Sequence, residues 1–240
     1  MSALEGRVIA VAGAGGSLGP VVARHLADAG ASLALTDLHQ DSLDALVADL
    51  GLPQERVDAE VVDLLDENAA VGWAKAIDEH FGRTDGLLHL VGGWKGGEPL
   101  ATAPLADYEW LHDALVRTTI HTTRAFYDAL ATSEHGRFVL VSSKQGQDPD
   151  GTNAAYGATK AAAESWTLAL ADSFRKAESP ATANIIVINA ILTERMRTEN
   201  PDKPYRTFTS TDEIAETIAF LCSDAGAKMN GKRLPLHPLR

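Results

Sequence analysis

The chain has a single cysteine, Cys222, among its 240 residues, so an internal disulfide is excluded. The thiol sits in the apolar run Ile218 to Cys222, where a buried and inert group is expected. No stretch reaches the roughly 18 consecutive apolar residues that a membrane span requires. The opening MSALEGRVIAVAGAGG lacks a basic leader and a long apolar centre, so no secretory signal is expected. Basic clusters are also missing. Lys and Arg total 21 against 33 Asp and Glu, a net charge of −12, which argues against a nucleic-acid partner. The eight histidines show neither HExxH nor paired Cys/His spacing, so no metal site is expected. These absences describe a soluble protein of a reducing cytoplasm with no membrane partner.

What is present is a strand–helix alternation. Runs at 7–12, 32–36, 57–62, 86–91, 137–142 and 184–191 are rich in Val, Ile, Leu and Ala, and most are apolar throughout, as in strands buried on both faces of a parallel sheet. Between them, helical patterns span 20–29, 41–50, 66–81, 107–130, 153–176 and 211–223. Gly30, Gly51 and Gly82 punctuate helix ends. The alternation predicts one α/β domain over residues 1–240, a doubly wound parallel sheet with right-handed crossovers. The polar, proline-containing segment 192–210 interrupts it and reads as a possible lid over a substrate site.

The first strand runs into AGAGGSLGP and then a helix. Gly13, Gly16 and Gly19 are spaced three apart, which permits a tight turn and close approach of a pyrophosphate to the helix N-terminus. The same stretch contains GGSLG, which fits the G-x-S-x-G elbow of a hydrolase with Ser17 as nucleophile. Only one strand precedes it, which leaves no room for the oxyanion loop of such a fold. Asp37 closes the second strand, where a carboxylate accepts from ribose hydroxyls and repels a 2′-phosphate; no Lys or Arg lies in Gly13–Pro20 or in Thr36–Gln40, so NAD is favoured over NADP. Asp63, after the third strand, is placed to reach an adenine amino group or to cap a helix. In YGATK, Tyr156 and Lys160 are four residues apart, on one face of a helix.

In this order, the glycine turn, Asp37, Asp63, SSKQG, YGATK and the tail FLCSDAGAKMNGKRLPL resemble the short-chain dehydrogenase/reductase family over nearly the whole chain. The resemblance implies a Rossmann-type, three-layer sheet of about seven parallel strands, often assembled as a dimer or tetramer through helices 107–130 and 153–176. It implies NAD(H)-dependent interconversion of a secondary alcohol and a ketone. Tyr156 is the implied acid/base, Lys160 its electrostatic partner and ribose ligand, and Ser143, ahead of Ser142, the hydroxyl on the substrate oxygen. Cofactor contacts are carried onto Gly13, Gly16, Ser17, Leu18, Gly19, Asp37, Asp63, Leu64, Gly92, Tyr156, Lys160 and Thr193. Trp94, Gln145 and Met196 are candidates to line a pocket for a small alcohol or carbonyl. The nearby ammonium and the charged nicotinamide are expected to lower the tyrosine pKa from about 10.

Four departures stand against the family pattern. Ala12 replaces a threonine and Ser17 a glycine in the first turn, and HLVG (His89–Gly92) replaces NNAG. Leu115 takes the place of the family's catalytic asparagine, and the Pro-Gly after the sixth strand is missing. These departures favour a second expectation, a cofactor-binding sensor or scaffold of the same fold with little turnover.

Overall fold

The computed structural model describes residues 2–237. Seven strands form one sheet: β1 (Val8–Ala12), β2 (Ser32–Asp37), β3 (Val57–Val61), β4 (Gly86–His89), β5 (Arg137–Ser143), β6 (Thr182–Ile188) and β9 (Arg233–Pro235), the last numbered after two short strands described below. The order is β3-β2-β1-β4-β5-β6-β9 and every pairing is parallel. The central strands β1, β4 and β6 are buried along their whole length, which explains why their sequences read as continuous apolar runs. The edge strand β3 is half exposed and correspondingly mixed in sequence.

Helices cover both faces. On one, α1 (Gly19–Asp28), α2 (Gln40–Leu50) and α8 (Thr211–Cys222) pack Val22, Leu26, Leu43, Leu46, Ile214 and Ile218 against Ile9, Val11, Leu33 and Leu35. On the other, α3 (Glu67–Phe81), α5 (Thr118–Thr132) and α6 (Ala154–Lys176) bury Trp73, Phe126 and Phe174 over Ala10, Leu87 and Phe138. The chain order reverses between β1 and β4, so the carboxyl ends of these strands open a crevice there. Among the described residues no helix is long and apolar enough to cross a membrane.

The elements differ from the sequence reading in three places. The helix expected over 107–130 is split into α4 (Leu105–His112), a π-helical stretch at Asp113–Arg117 and α5. Thr118, Thr119 and Thr122 bond their hydroxyls back to the carbonyls of Ala114, Leu115 and Thr118, a pattern that loosens and bends a helix. The strand expected over 184–191 breaks at Asn189. Beyond it β7 (Ala190–Leu192) pairs with β8 (Phe208–Ser210) in a separate two-stranded sheet. Between those two strands lies most of the segment read as a lid, and it holds a short helix, α7 (Glu194–Glu199), that the sequence reading missed. Tyr205 ties that segment together by donating to the Met196 carbonyl at 2.7 Å. The seventh strand, β9, is three residues long, too short for its pattern to stand out.

Candidate active site

The glycine turn is built by steric necessity. Gly13 has φ +84°, and a Cβ there would lie 2.8 Å from the Val91 nitrogen. At Gly19 a Cβ would lie 2.2 Å from the Ala14 carbonyl oxygen. The turn thus brings its backbone against the residues after β4. Helix α1 starts here with no side-chain cap and no acidic residue in its first turn, so its terminal N–H groups keep free donor capacity. Asp37 is fastened to the same turn: its Oδ2 accepts from the Gly15 N–H at 3.0 Å and its Oδ1 from the Leu38 N–H at 2.8 Å.

Two adjoining cavities run along the carboxyl edge of the sheet. One, of about 340 Å³, is lined by Asp37, Leu38, Asp63 and Leu64, with Trp110 and Asp113 from the far side. The other, of about 540 Å³, is lined by Gly13, Gly16, Ser17, Leu18, Gly19, Gly92, Trp94, Ser143, Gln145, Tyr156 and Lys160. They share Gly13, Gly16, Leu90, Val91 and Gly92, so the glycine turn sits at their junction. A groove with carboxylates at one end, an uncapped helix N-terminus in the middle and a Ser/Tyr/Lys group at the other suits an extended dinucleotide with a central pyrophosphate.

At the far end Ser143 terminates β5, buried, its Oγ accepting from the Gln145 N–H at 3.3 Å and lining the same cavity as Tyr156. Tyr156 and Lys160 lie one turn apart on α6, as their spacing predicts. The ammonium is 5.8 Å from the centre of the Tyr156 ring and donates to the Val141 carbonyl at 3.0 Å. Lys160 is 7% exposed, and burial lowers its pKa to about 8 against the opposing pull of Glu164. Burial raises the Tyr156 pKa, while the neighbouring Ser143 hydroxyl acts to lower it. The lowering expected from sequence is therefore absent in the protein alone, because desolvation of the phenol prevails.

Thr193 and Met196 lie outside the lining of the larger cavity. Thr193 caps α7, its Oγ1 accepting from the Met196 N–H at 3.2 Å. Asp63 accepts from the Leu65 N–H at 2.9 Å and faces the smaller cavity. No histidine lines the larger cavity among the described residues, so Ser17 has no base there and the hydrolase elbow is not assembled. Leu115 is 2% exposed and packs beneath Gly92, where a Cβ would meet its Cδ2 at 3.4 Å. Sequence reasoning missed Asn153, whose Oδ1 accepts from the Trp94 indole at 3.0 Å and which lines the cavity three residues before Tyr156. It also missed His89, which is 1% exposed with its ring nitrogens on the Thr118 and Thr122 hydroxyls at 3.1 and 3.3 Å. Burial, reinforced by the Lys160 charge, lowers the His89 pKa to about 3, so the imidazole is neutral.

A family model described as enoyl-(acyl carrier protein) reductase matches residues 13–236. Oxidoreductase UcpA of Salmonella typhimurium is 30% identical over 253 residues, covering 96% of this chain and 93% of its own. Among solved structures, a short-chain dehydrogenase from Pseudomonas syringae superimposes with TM-score 0.87 at 28% identity, covering 98% of this chain and 96% of that one. An NAD+-bound xylitol dehydrogenase gives 0.84 at 25%, covering 98% of both.

Proposed function

The chain belongs to the short-chain dehydrogenase/reductase family of oxidoreductases, and from that premise we propose that it interconverts a small secondary alcohol and its ketone with NAD(H). Gly13, Gly16 and Gly19, with the start of α1, would hold a nicotinamide cofactor, and hydride transfer is the chemistry that such a group would supply there. The protein's own part is to hold the substrate oxygen and move its proton. The Ser143 hydroxyl fixes that oxygen, and the Tyr156 phenol gives or takes the proton there. Lys160 holds the ribose and places its charge beside the phenol. Trp94, Gln145 and Asn153 frame the substrate side, with segment 192–210, including Thr193 and Met196, as a lid. The observation that carries this reading is the convergence of Ser143, Tyr156 and Lys160 on one cavity continuous with the glycine turn.

Asp37 favours NAD. Its carboxylate lines the cavity assigned to adenosine and is already oriented by the Gly15 and Leu38 amides. A hydrogen bond to a charged acceptor is worth roughly 1.5–3 kcal/mol, about tenfold or more in affinity. Calorimetric titration should therefore give NADH binding at least about tenfold tighter than NADPH, with the gap narrowing in Asp37→Ala. Tyr156→Phe should retain NADH binding and lose about 10²-fold or more of turnover on any secondary alcohol that the wild type oxidises. Turnover surviving in Tyr156→Phe rejects the acid/base assignment. NADH binding without turnover across a broad alcohol and ketone panel favours the sensor reading, for which Leu115 and the missing Pro-Gly speak.

A further inference from the structure

A carboxylate that the proposed reaction does not use lies directly behind its catalytic strand end. Glu164 is one helical turn past Lys160 on α6 and is 3% exposed. Its Oε1 accepts from the Ser142 hydroxyl at 2.5 Å. Arg233 of β9 donates to both carboxylate oxygens, Nε to Oε2 at 2.8 Å and Nη2 to Oε1 at 3.2 Å. Lys160, meanwhile, donates to the carbonyl of Val141. Helix α6 therefore grips two consecutive residues of β5, one with a cation and one with an anion, immediately before Ser143. The turn after Ser143 closes over the same carboxylate: a Cβ on Gly146 would stand 2.8 Å from Oε1 and 3.2 Å from Cδ. Two residues of the SSKQG stretch, Ser142 and Gly146, are thereby accounted for by Glu164.

An apolar side chain would fill this position without the desolvation cost of a buried ion pair. A charge kept here is explained if its field and its bonds matter to the neighbouring groups. We propose that Glu164 is a positioning residue of the active site: with Arg233 behind it, it locks the strand end that carries Ser143 to the helix that carries Tyr156 and Lys160, and it holds the Lys160 ammonium in its charged form. This rests on the oxidoreductase reading of the same site. The titratable and charged groups around that ammonium are Tyr156 and Glu164 on its own helix, His89 on β4, and Arg233 on β9 beyond Glu164. Strand β5 presents the Val141 carbonyl and the two serine hydroxyls. His89 is neutral, and burial alone pushes Lys160 down, so Glu164 is the group that opposes its deprotonation.

The test is NMR titration of ¹³Cε-labelled lysine, with Lys160→Ala used to assign the resonance, on the wild type and on Glu164→Gln, Glu164→Asp and Arg233→Gln. Glu164→Gln should lower the Lys160 midpoint by about one pH unit. Glu164→Asp, which keeps the charge, should largely restore it. Arg233→Gln, which leaves the carboxylate uncompensated, should raise it. A purely structural Glu164 would lower the melting temperature of these variants and leave the midpoint where it is; that result overturns the proposal. Should Glu164→Gln fail to fold, an unmoved midpoint in Arg233→Gln does the same. NADH titration of the wild type runs alongside. Loss of the cofactor reading would show there as absent binding, while the response of Lys160 to Glu164 remains measurable.

Discussion

Burial sets the ionisation of the site before any ligand arrives. It pushes the Tyr156 phenol up and the Lys160 ammonium down, so neither is primed by the other alone. In the reaction proposed above, a positive nicotinamide ring would bring the phenol down, which would tie proton transfer to occupancy of the site. His89 is the sharper case. In the unfolded chain it titrates near its ordinary value of about 6.5, while in the fold burial and the Lys160 charge hold it to about 3. Between those values the unfolded state binds a proton that the folded state does not. The neutral His89 contribution is therefore complete above about pH 6.5 and is lost as pH falls, by about 1.4 kcal/mol per unit. Urea unfolding from pH 7 down to 4 should show that slope, and His89→Asn should flatten it. An equal slope in the variant would mean that the carboxylates, not His89, govern acid sensitivity.

At the scale of elements, the β1–α1 turn shows why glycine placement mattered more than glycine count. Gly13 has a left-handed φ and a neighbour that leaves no room for a side chain, whereas Gly51 has φ +61° and nothing within 4 Å. Gly51→Ala should cost only about 1 kcal/mol of conformational strain. Gly13→Ala adds a clash with the Val91 backbone, so a loss of at least about 2 kcal/mol is expected, together with weakened NADH binding. Chemical denaturation of the two variants makes the comparison; equal losses would mean that the Val91 contact yields freely. The π-helical stretch belongs to the same scale. Thr118 and Thr122, which follow it in α5, compete for helix carbonyls and also hold His89, so the distortion of the helix and the anchoring of β4 share their side chains.

For the whole molecule, the outer faces of α5 and α6 carry Tyr127, Trp166 and Leu168, and between the helices lies a groove of about 460 Å³. We propose that this face joins copies of the chain in a dimer or tetramer. Sedimentation equilibrium should then give a multiple of 25.5 kDa, and Trp166→Glu should lower it. A monomer at micromolar concentration would reject the assignment. A net charge of −12 is compatible with such assembly, because charges spread over the surface are screened beyond about 8–10 Å at physiological salt.

Strand–helix alternation, the three-residue glycine spacing and the four-residue step from Tyr156 to Lys160 were legible from sequence because each reflects a local rule: burial on both faces, a turn that excludes side chains, and the pitch of a helix. These determined the fold class and singled out Gly13, Tyr156 and Lys160, whereas Ser143 was named only through the family resemblance. What depended on contacts distant along the chain was not legible. The split of strand 184–191 arises from the pairing of residues 190–192 with residues 208–210. That Ser142 bonds Glu164, 22 residues further on, while Ser143 lines the cavity beside Tyr156, could not be read from their positions in the chain. The neutral His89 and the clamp from Arg233 through Glu164 to Ser142 exist only once the sheet brings β4, β5 and β9 beside α5 and α6. Ionisation and hydrogen-bond partnership are properties of the packed interior, and only the tertiary structure creates that interior.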